Sequence, residues 1–574
     1  MNYMEKYEEW CTNDYFDLSD RKKLREMEQD TKAIKECFSD ELTFGTGGLR
    51  GIIGLGTKRL NKYTIRKTTQ GLANWMKLNK KDKFAVIAYD SRNMSFEFAQ
   101  EAALCLAANG ICVYCFSAET PTPVLSYAVR YLHCSIGIVI TASHNPAQYN
   151  GYKVYGADGA QIVSPTDRQI LSSITEINNY QHIKTIGLEE ARSCGLYLTV
   201  PDEVELSYLE EIKSKMIDTA HISKAKQDLK IVYTPLHGTG GRFVIPLLKS
   251  IGYKNVYVVP EQKEPNGNFP TVQVPNPEEP EAFNMALQLA KNVDADIVLA
   301  TDPDADRVGL YVKEANSVDY VRFTGDMMGV LMAEYLFSKR KEKGTLSSNG
   351  AVVKTIVTTN MIDKVAKQYG LTLFEVLTGF KYIGEKIKQF ESSKKYHFEF
   401  GMEESYGSLS DIYVRDKDAV TATAILCEIA AFYKSKGMTL LDYMQTLYEM
   451  YGYYKESQTS INLSEDIDLK SLVKKLYDKA TSYIHNFRVT AIRDYRKGIR
   501  TQISTGKSEK LQLPPSDVLY FELENCAWCC VRPSGTEPKI KMYFGVQGKD
   551  AVDAEKKLRQ LKNDFVLAVK DVMM

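Results

Sequence analysis

The sequence reads as an α/β protein: three similar mixed α/β domains built on mostly parallel sheets, then a C-terminal α+β domain, around a central cleft. Three observations predict this. Short apolar runs alternate with stretches of helical periodicity, the order expected where crossover helices join parallel strands. The same strand, helix, strand, helix, strand series can be read three times. After Gly452 that rhythm breaks.

The first copy predicts strands over 85–90, 111–116 and 136–140, with helices over 96–109 and 124–132 between them. The second places strands at 230–234, 256–259 and 296–300, and helices at 243–251 and 281–292. The third gives strands at 352–357, 373–377 and 397–400, separated by helices over 361–369 and 383–390. Residues 1–40 read as a charged, peripheral helical extension. The tail predicts a helix over 469–483, strands at 528–531 and 540–544, and a closing amphipathic helix from about 551 to 572. The expected domains are therefore 41–205, 206–322, 323–452 and 453–574, a division that suits 574 residues, too many for one core.

Composition narrows the function. Hydrophobic residues at 44% and charged ones at 25% are ordinary for a water-soluble fold. Lys plus Arg equals Asp plus Glu at 73 each, so no global field draws the chain to nucleic acid or membrane. Attraction for an anion must be local. No apolar run approaches the ~20 residues of a membrane span, and the charged opening 1–10 lacks a secretory core. Eleven Cys, mostly scattered, fit a reduced cytoplasmic protein. The CxxC of Cys526 and Cys529 has no second ligand pair and reads as buried structural thiols rather than a zinc or redox site.

The last strand of each copy delivers a loop rich in reactive groups. Thr141-Ala-Ser143-His144-Asn-Pro146 ends the first, Asp302-Pro-Asp304-Ala-Asp306-Arg307 the second, and Gly401-Met-Glu403-Glu404-Ser405-Tyr-Gly407 the third. Open α/β sheets keep their ligand crevice at these carboxyl ends. Three carboxylates at alternate positions repel one another unless a cation sits between them. Mg²⁺, a hard ion that accompanies phosphoryl groups, meets that need, whereas a solvated acidic turn would not call for a buried strand before it. Arg307 faces the same anion or serves as a structural ion-pair partner. Ser143 alone would read as a turn or N-cap residue; beside a metal loop it reads as a nucleophile, with His144 and Lys153 near enough in sequence to handle protons. Lys153 without that context would be a solvated strand lysine.

Three further features complete the set. Phe44-Gly-Thr-Gly-Gly-Leu-Arg50-Gly51 is a flexible loop with one cation, Arg50, suited to an anion contact. Arg532-Pro-Ser534-Gly535-Thr536 offers a bidentate cation, two hydroxyls and backbone amides, the donors a phosphate needs, or else forms a plain hairpin turn. Glu403 and Ser405 supply an acceptor and a donor for vicinal sugar hydroxyls. His237 reads as structural.

Taken together, these motifs closely resemble the α-D-phosphohexomutase superfamily over about residues 40–574. The opening glycine-rich loop, the helical leader and Thr378-Gly379-Phe380-Lys381-Tyr-Ile-Gly384 look most like its bacterial long-form phosphoglucomutase branch, which also holds phosphopentomutase-type relatives. The resemblance implies four domains around a cleft and an isomerase that interconverts glucose 1-phosphate and glucose 6-phosphate through a phosphorylated Ser143 and glucose 1,6-bisphosphate, which also acts as activator. It implies that Asp302, Asp304 and Asp306 hold Mg²⁺ together with a Ser143 phosphoryl oxygen. Arg532, Ser534, Gly535 and Thr536 would clamp the phosphate not being transferred, and Glu403 and Ser405 the sugar hydroxyls. The loop of Thr378, Gly379, Phe380 and Lys381 would read the sugar's orientation. Lys153, His144 and Arg50 match positions tied to proton transfer and charge stabilisation, and Lys417 matches a further basic position. The partners implied are small sugar phosphates. The chain departs from the common pattern at Pro303 and Ala305, where many members carry Gly, and at Met402 before the Glu pair; no ligand is lost. Rival activities are phosphopentomutase, phosphomannomutase and glucose 1,6-bisphosphate synthase, and from another class a non-catalytic sugar-phosphate-binding regulator.

Overall fold

The computed structural model describes residues 2–44, 48–217, 222–462, 474–476, 483–484, 486–533 and 539–573. Its α/β class is as the sequence predicts, with mixed sheets. In the first sheet Ile136–Ile140, Phe84–Tyr89, Cys112–Cys115 and Tyr197–Thr199 run parallel. Ile136–Ile140 is Ile-Gly-Ile-Val-Ile and buried at every position, as a strand covered on both faces must be. Helices Lys62–Leu78 and Ser95–Ala108 contribute Leu72, Trp75, Phe98 and Leu106 to the core around it.

The mostly parallel character holds at the centre of that sheet and gives way at its edge. Strand Tyr149–Gly156 returns antiparallel to Ile136–Ile140, and Gly48–Ile52 pairs antiparallel beyond it. The second sheet repeats the device. Ile297–Thr301, Lys230–Thr234 and Asn255–Val258 are parallel, then Val308–Lys313 and Tyr320–Phe323 fold back. In the first two copies the reactive loop is thus the connection of an antiparallel pair, so its two ends are fixed by ladder hydrogen bonds. In the third copy Gly350–Thr355 lies parallel to both Thr372–Val376 and His397–Glu403.

By density of contact the chain divides into two compact units. One comprises 1–324, 380–395 and 405–439; the other comprises 325–379, 396–404 and 440–574. The second unit carries an antiparallel sheet in which Lys539–Gly548 pairs with both Tyr453–Asn462 and Trp528–Pro533, followed by Leu519–Leu523 and Phe487–Asp494. Helix Ala551–Met573 covers it, with Leu561, Phe565 and Val569 against Phe521 and Phe544. The helix expected over 469–483 falls almost wholly outside the described residues.

The charged leader is helical, as its composition predicts, over Tyr3–Thr12, Leu18–Arg25 and Thr31–Phe38. It is anchored rather than merely peripheral. Trp10 is fully buried, stacks on Phe16 at 4.4 Å and meets Phe38, Tyr63 and Tyr180 edge-on. Truncating so large a buried ring typically costs about 3–5 kcal/mol. Trp10→Ala is therefore expected to loosen the leader, seen as earlier proteolysis within 1–40 and a lower urea midpoint for the first unit.

Candidate active site

The acidic loop starts where strand Ile297–Thr301 runs out. Asp302, Asp304 and Asp306 are 0%, 0% and 2% exposed, and their carboxylate oxygens converge within 4.8 Å of one another. The loop holds itself in place: Asp302 Oδ1 accepts the backbone N–H of Asp306 at 3.1 Å and of Arg307 at 3.0 Å. Ala305 lies in left-handed backbone at φ 49°. That conformation costs a non-glycine residue roughly 1–2 kcal/mol, so Ala305, one of the expected departures from the resembled pattern, is held there at a cost. The other departure is also accommodated. Met402 is fully buried, and a Cβ on Gly329 would fall 2.2 Å from its Cε, so Gly329 leaves the space Met402 fills.

The charges within this cluster are balanced unevenly. Burial pushes the Asp302 carboxyl well up, and the nearby Asp304 and Asp306 add to it. Burial would raise Asp304 too, but Lys153, whose Nζ lies 2.9 Å from its Oδ2, overrides that and holds it ionised. Thr122 Oγ1 donates to the same oxygen at 3.1 Å. Lys417 Nζ lies 3.0 Å from Asp306 Oδ2, with Lys153 at 3.6 Å. Asp304 Oδ1 and Asp306 Oδ1 are buried and accept no hydrogen bond among the described residues. Two orphaned carboxylate oxygens beside a third carboxylate are the donor set of a hard divalent cation, so the residues fit the expected Mg²⁺.

Ser143 comes to this cluster from the other sheet. Its φ is 52°, and its Oγ donates to Asp302 Oδ2 at 2.7 Å. The Ser143 N–H is tied to Thr141 Oγ1 at 2.7 Å, and its Oγ lies 3.2 Å from His144 Nδ1. Arg50, on the edge strand, donates to Asn145 Oδ1 at 3.1 Å. Lys153 reaches the acids because Tyr149–Gly156 is the returning strand, where Lys153 sits opposite Val139. The first unit thus brings Ser143, His144, Lys153, the three Asp and Lys417 together. Lys417 is steered by Asp416, which accepts from Tyr155 OH at 2.7 Å and from Lys417 Nζ at 3.2 Å. Arg307 is held by Glu278 at 2.5 Å, so the ion-pair alternative for it is realised.

Other candidate residues are more dispersed. Phe380 lies under Lys417, with the ammonium 5.5 Å from its ring, and Lys381 stands over Tyr382 at 4.8 Å. Ser405 belongs to the first unit, and Thr378, Gly379, Glu403 and Arg532 to the second. Thr378 Oγ1 is buried without a hydrogen-bond partner among the described residues, and Gly379 has a φ of 119° that favours glycine. Glu403 is buried at the end of its strand. Arg532 lies on Trp528–Pro533, opposite Lys541. Ser534, Gly535 and Thr536 lie outside the described residues, as do Gly45, Thr46 and Gly47 of the glycine-rich loop. Cys526 is exposed and Cys529 buried, both as free thiols. His237 is buried and bonded to Thr271, a structural place as expected.

Sequence reasoning missed Asp90 and Arg92, which lie directly beneath the Ser143 loop. The signal was available: Asp-Ser-Arg follows strand Phe84–Tyr89 at the carboxyl end of the same sheet. It also missed Thr122, Glu278 and Asp416, which no local pattern marks.

Comparison with known proteins fits this arrangement. Residues 41–181, 206–315 and 324–451 match the family models described as phosphoglucomutase/phosphomannomutase, alpha/beta/alpha domains I, II and III. The chain belongs to the phosphoglucomutase/phosphomannomutase family. It is therefore a mutase of the isomerase class. A protein named phosphoglucomutase from Staphylococcus haemolyticus is 36% identical over 521 residues, covering 90% of this chain and 92% of that one. One from Staphylococcus aureus is 36% identical over 539 residues, covering 92% and 93%. Among solved structures, a Thermus thermophilus protein described as a putative phosphomannomutase superposes with a TM-score of 0.67 at 22% identity, covering 91% of this chain and 99% of its own. The open form of a Paramecium phosphoglucomutase gives 0.67 at 18%, covering 93% and 96%. These two establish likeness of fold alone. Among the described residues no helix is long and apolar enough to cross a membrane.

A pH dependence follows for the mutase's second unit. Burial, then the neighbouring Glu403 and Asp326, push Glu404 from 4.5 up to about 7. Between those values the folded form keeps a proton that the unfolded chain releases, so stability falls as pH rises through that window. Glu404→Gln, always neutral, is expected to melt progressively above wild type from pH 4.5 upward, with its full advantage reached by about pH 7. Equal melting temperatures across that range would exclude the buried-proton account.

Proposed function

We propose that the protein interconverts glucose 1-phosphate and glucose 6-phosphate, with Ser143 carrying the phosphoryl group between the two positions. The observation that carries this reading is the 2.7 Å hydrogen bond from Ser143 Oγ to Asp302 inside the buried carboxylate cluster. A serine used only to cap a turn has no reason to meet three acids from a second sheet. The curated relatives named phosphoglucomutase, matched over nine-tenths of the chain, support the choice of glucose.

In this reading Asp302, Asp304 and Asp306 hold Mg²⁺. Bound there, the ion would neutralise the crowded acids and draw charge from the phosphoryl oxygens. A free sugar hydroxyl attacks the phosphorus of phosphorylated Ser143. The new bond to the sugar oxygen forms as the bond to Ser143 Oγ breaks, giving glucose 1,6-bisphosphate. The hydroxyl proton passes to the His144 imidazole, while the Lys153 ammonium offsets charge on the transferred group and can give a proton to the departing oxygen. The bisphosphate then presents its other phosphate and the same exchange runs in reverse. Return of that other phosphate restores phosphorylated Ser143, and glucose 1,6-bisphosphate acting as activator charges a free Ser143 by the same transfer.

The remaining assignments belong to the same proposal. Arg50 and Lys417 offset charge around the transferred group. Arg307, freed from Glu278 or acting with it, faces the same anion. Arg532 with Ser534, Gly535 and Thr536 receives the phosphate at rest, Glu403 and Ser405 the sugar hydroxyls, and Thr378 to Lys381 the sugar's orientation. That the Thr378 hydroxyl has no hydrogen-bond partner among the described residues supports the last of these. A cytoplasmic setting is supported by eleven cysteines that are all free.

The reading is tested at the serine, at the acids and in the choice of sugar. Ser143→Ala should abolish conversion of glucose 1-phosphate and remove covalent label after incubation with ³²P-bisphosphate; near-normal turnover would defeat the phosphoserine role. Chelation should silence the enzyme, and Asp304→Asn should cost at least about 100-fold in kcat, as loss of one electrostatic partner commonly does. Parallel rates on mannose and ribose 1-phosphates separate glucose from the phosphomannomutase and phosphopentomutase alternatives. Release of bisphosphate at the expense of an acyl phosphate would instead mark a synthase.

A further inference from the structure

We propose that Arg92 is a positioning residue that holds the Ser143 loop in the backbone conformation from which its hydroxyl reaches Asp302. The inference rests on the mutase reading above. It begins with strain. At φ 52° Ser143 occupies a region that L-residues avoid, at a cost that surrounding structure must offset. Its N–H is tied to Thr141, yet the carbonyls that follow cannot be satisfied by the ladder, which ends at Ile140.

Arg92 satisfies them together. One guanidinium nitrogen donates to Ser143 O at 2.5 Å and also to Asn145 O; the other donates to Pro146 O at 2.9 Å and Tyr149 O at 3.1 Å. A single planar fork thereby spans the loop from the nucleophile to the start of the returning strand. Lys could not do this, because an ammonium is a point donor without the fixed fork. The fork is itself immobilised. The side chains of Arg92 and Asp90 are both 0% exposed, with Nε 3.4 Å from Asp90 Oδ2. Asp90 Oδ1 accepts from Ser95 Oγ at 2.7 Å and from the Arg92 N–H at 2.9 Å. Phe269, from the second copy, lies against the guanidinium at 5.0 Å. A buried cation is tolerated only when it is paired with a counter-charge and hydrogen-bonded, as the two terminal nitrogens of Arg92 are. Among the described residues Arg92 makes no ion pair with Asp302, Asp304 or Asp306, and its hydrogen bond to Ser143 is to the backbone carbonyl.

The test compares wild type, Arg92→Lys and Arg92→Ala. Wild type must convert glucose 1-phosphate; failure there sinks the mutase reading and leaves Arg92 to be judged by hydrogen exchange alone. For Arg92→Lys we expect kcat to fall about 100-fold with KM changed no more than about threefold, the pattern of a misplaced reacting group. Amides of 141–149 should exchange faster while the melting temperature stays close to wild type. In Arg92→Ala, added guanidinium at non-denaturing concentration should recover part of kcat by filling the vacated site, and added ammonium should not. Wild-type kcat or unchanged exchange in Arg92→Lys would overturn the proposal. So would failure of both variants to fold, which would make Arg92 a stability residue.

Discussion

Three carboxylates packed beneath the surface within 4.8 Å of one another set the terms for the rest of the first unit. Like charges at that distance, away from water, can coexist only if something positive stands among them. The fold supplies two ammonium groups, Lys153 and Lys417, each delivered by a different part of the chain. Among the described residues it leaves two of the carboxylate oxygens, Asp304 Oδ1 and Asp306 Oδ1, without a hydrogen-bond donor. The lysines offset part of the repulsion, and the open oxygens could hold a cation. A serine hydroxyl placed on the third acid then lies within this cluster of charges.

That placement depends on strained connections. Ser143, Ala305 and Tyr406 each take positive φ, and each lies in one of the three reactive loops. None is glycine, so in each the surrounding ladder and side-chain bonds must hold a conformation that the residue alone would leave. For Ser143 the holding groups are visible: Thr141 before it and the Arg92 fork after it. For Ala305 the Asp302 carboxylate gathers the N–H groups of Asp306 and Arg307. The acids are therefore ligand candidates and loop braces at once, which ties the shape of the site to its charge.

Much of this was legible in the sequence because its causes are local. Runs such as Ile136–Ile140, apolar at every position but one glycine, can only be buried strands, and the repeat follows from their spacing. Asp302, Asp304 and Asp306 declare themselves by alternate placement after such a run. Other features were not legible because their partners lie far away. Arg307 carries the same charge whether it meets an anion or Glu278, and 29 residues separate it from that carboxylate. Arg92 is one arginine among many until the loop 51 residues later is folded over it. Asp416 gains meaning only through Tyr155, 261 residues away.

The sequence by itself determined the α/β class, the threefold order of strands and helices, and which side chains have the chemistry for a metal and a phosphoryl group. Those properties follow from periodicity and residue type, which do not change with folding. Tertiary structure alone decided that the reactive loops of the first two copies are antiparallel returns and that the third copy divides between two compact units. It also decided which cation meets which acid, and how a strained serine is kept in place. These outcomes depend on contacts between segments distant in sequence, and distance in space is the one quantity that the order of residues does not contain.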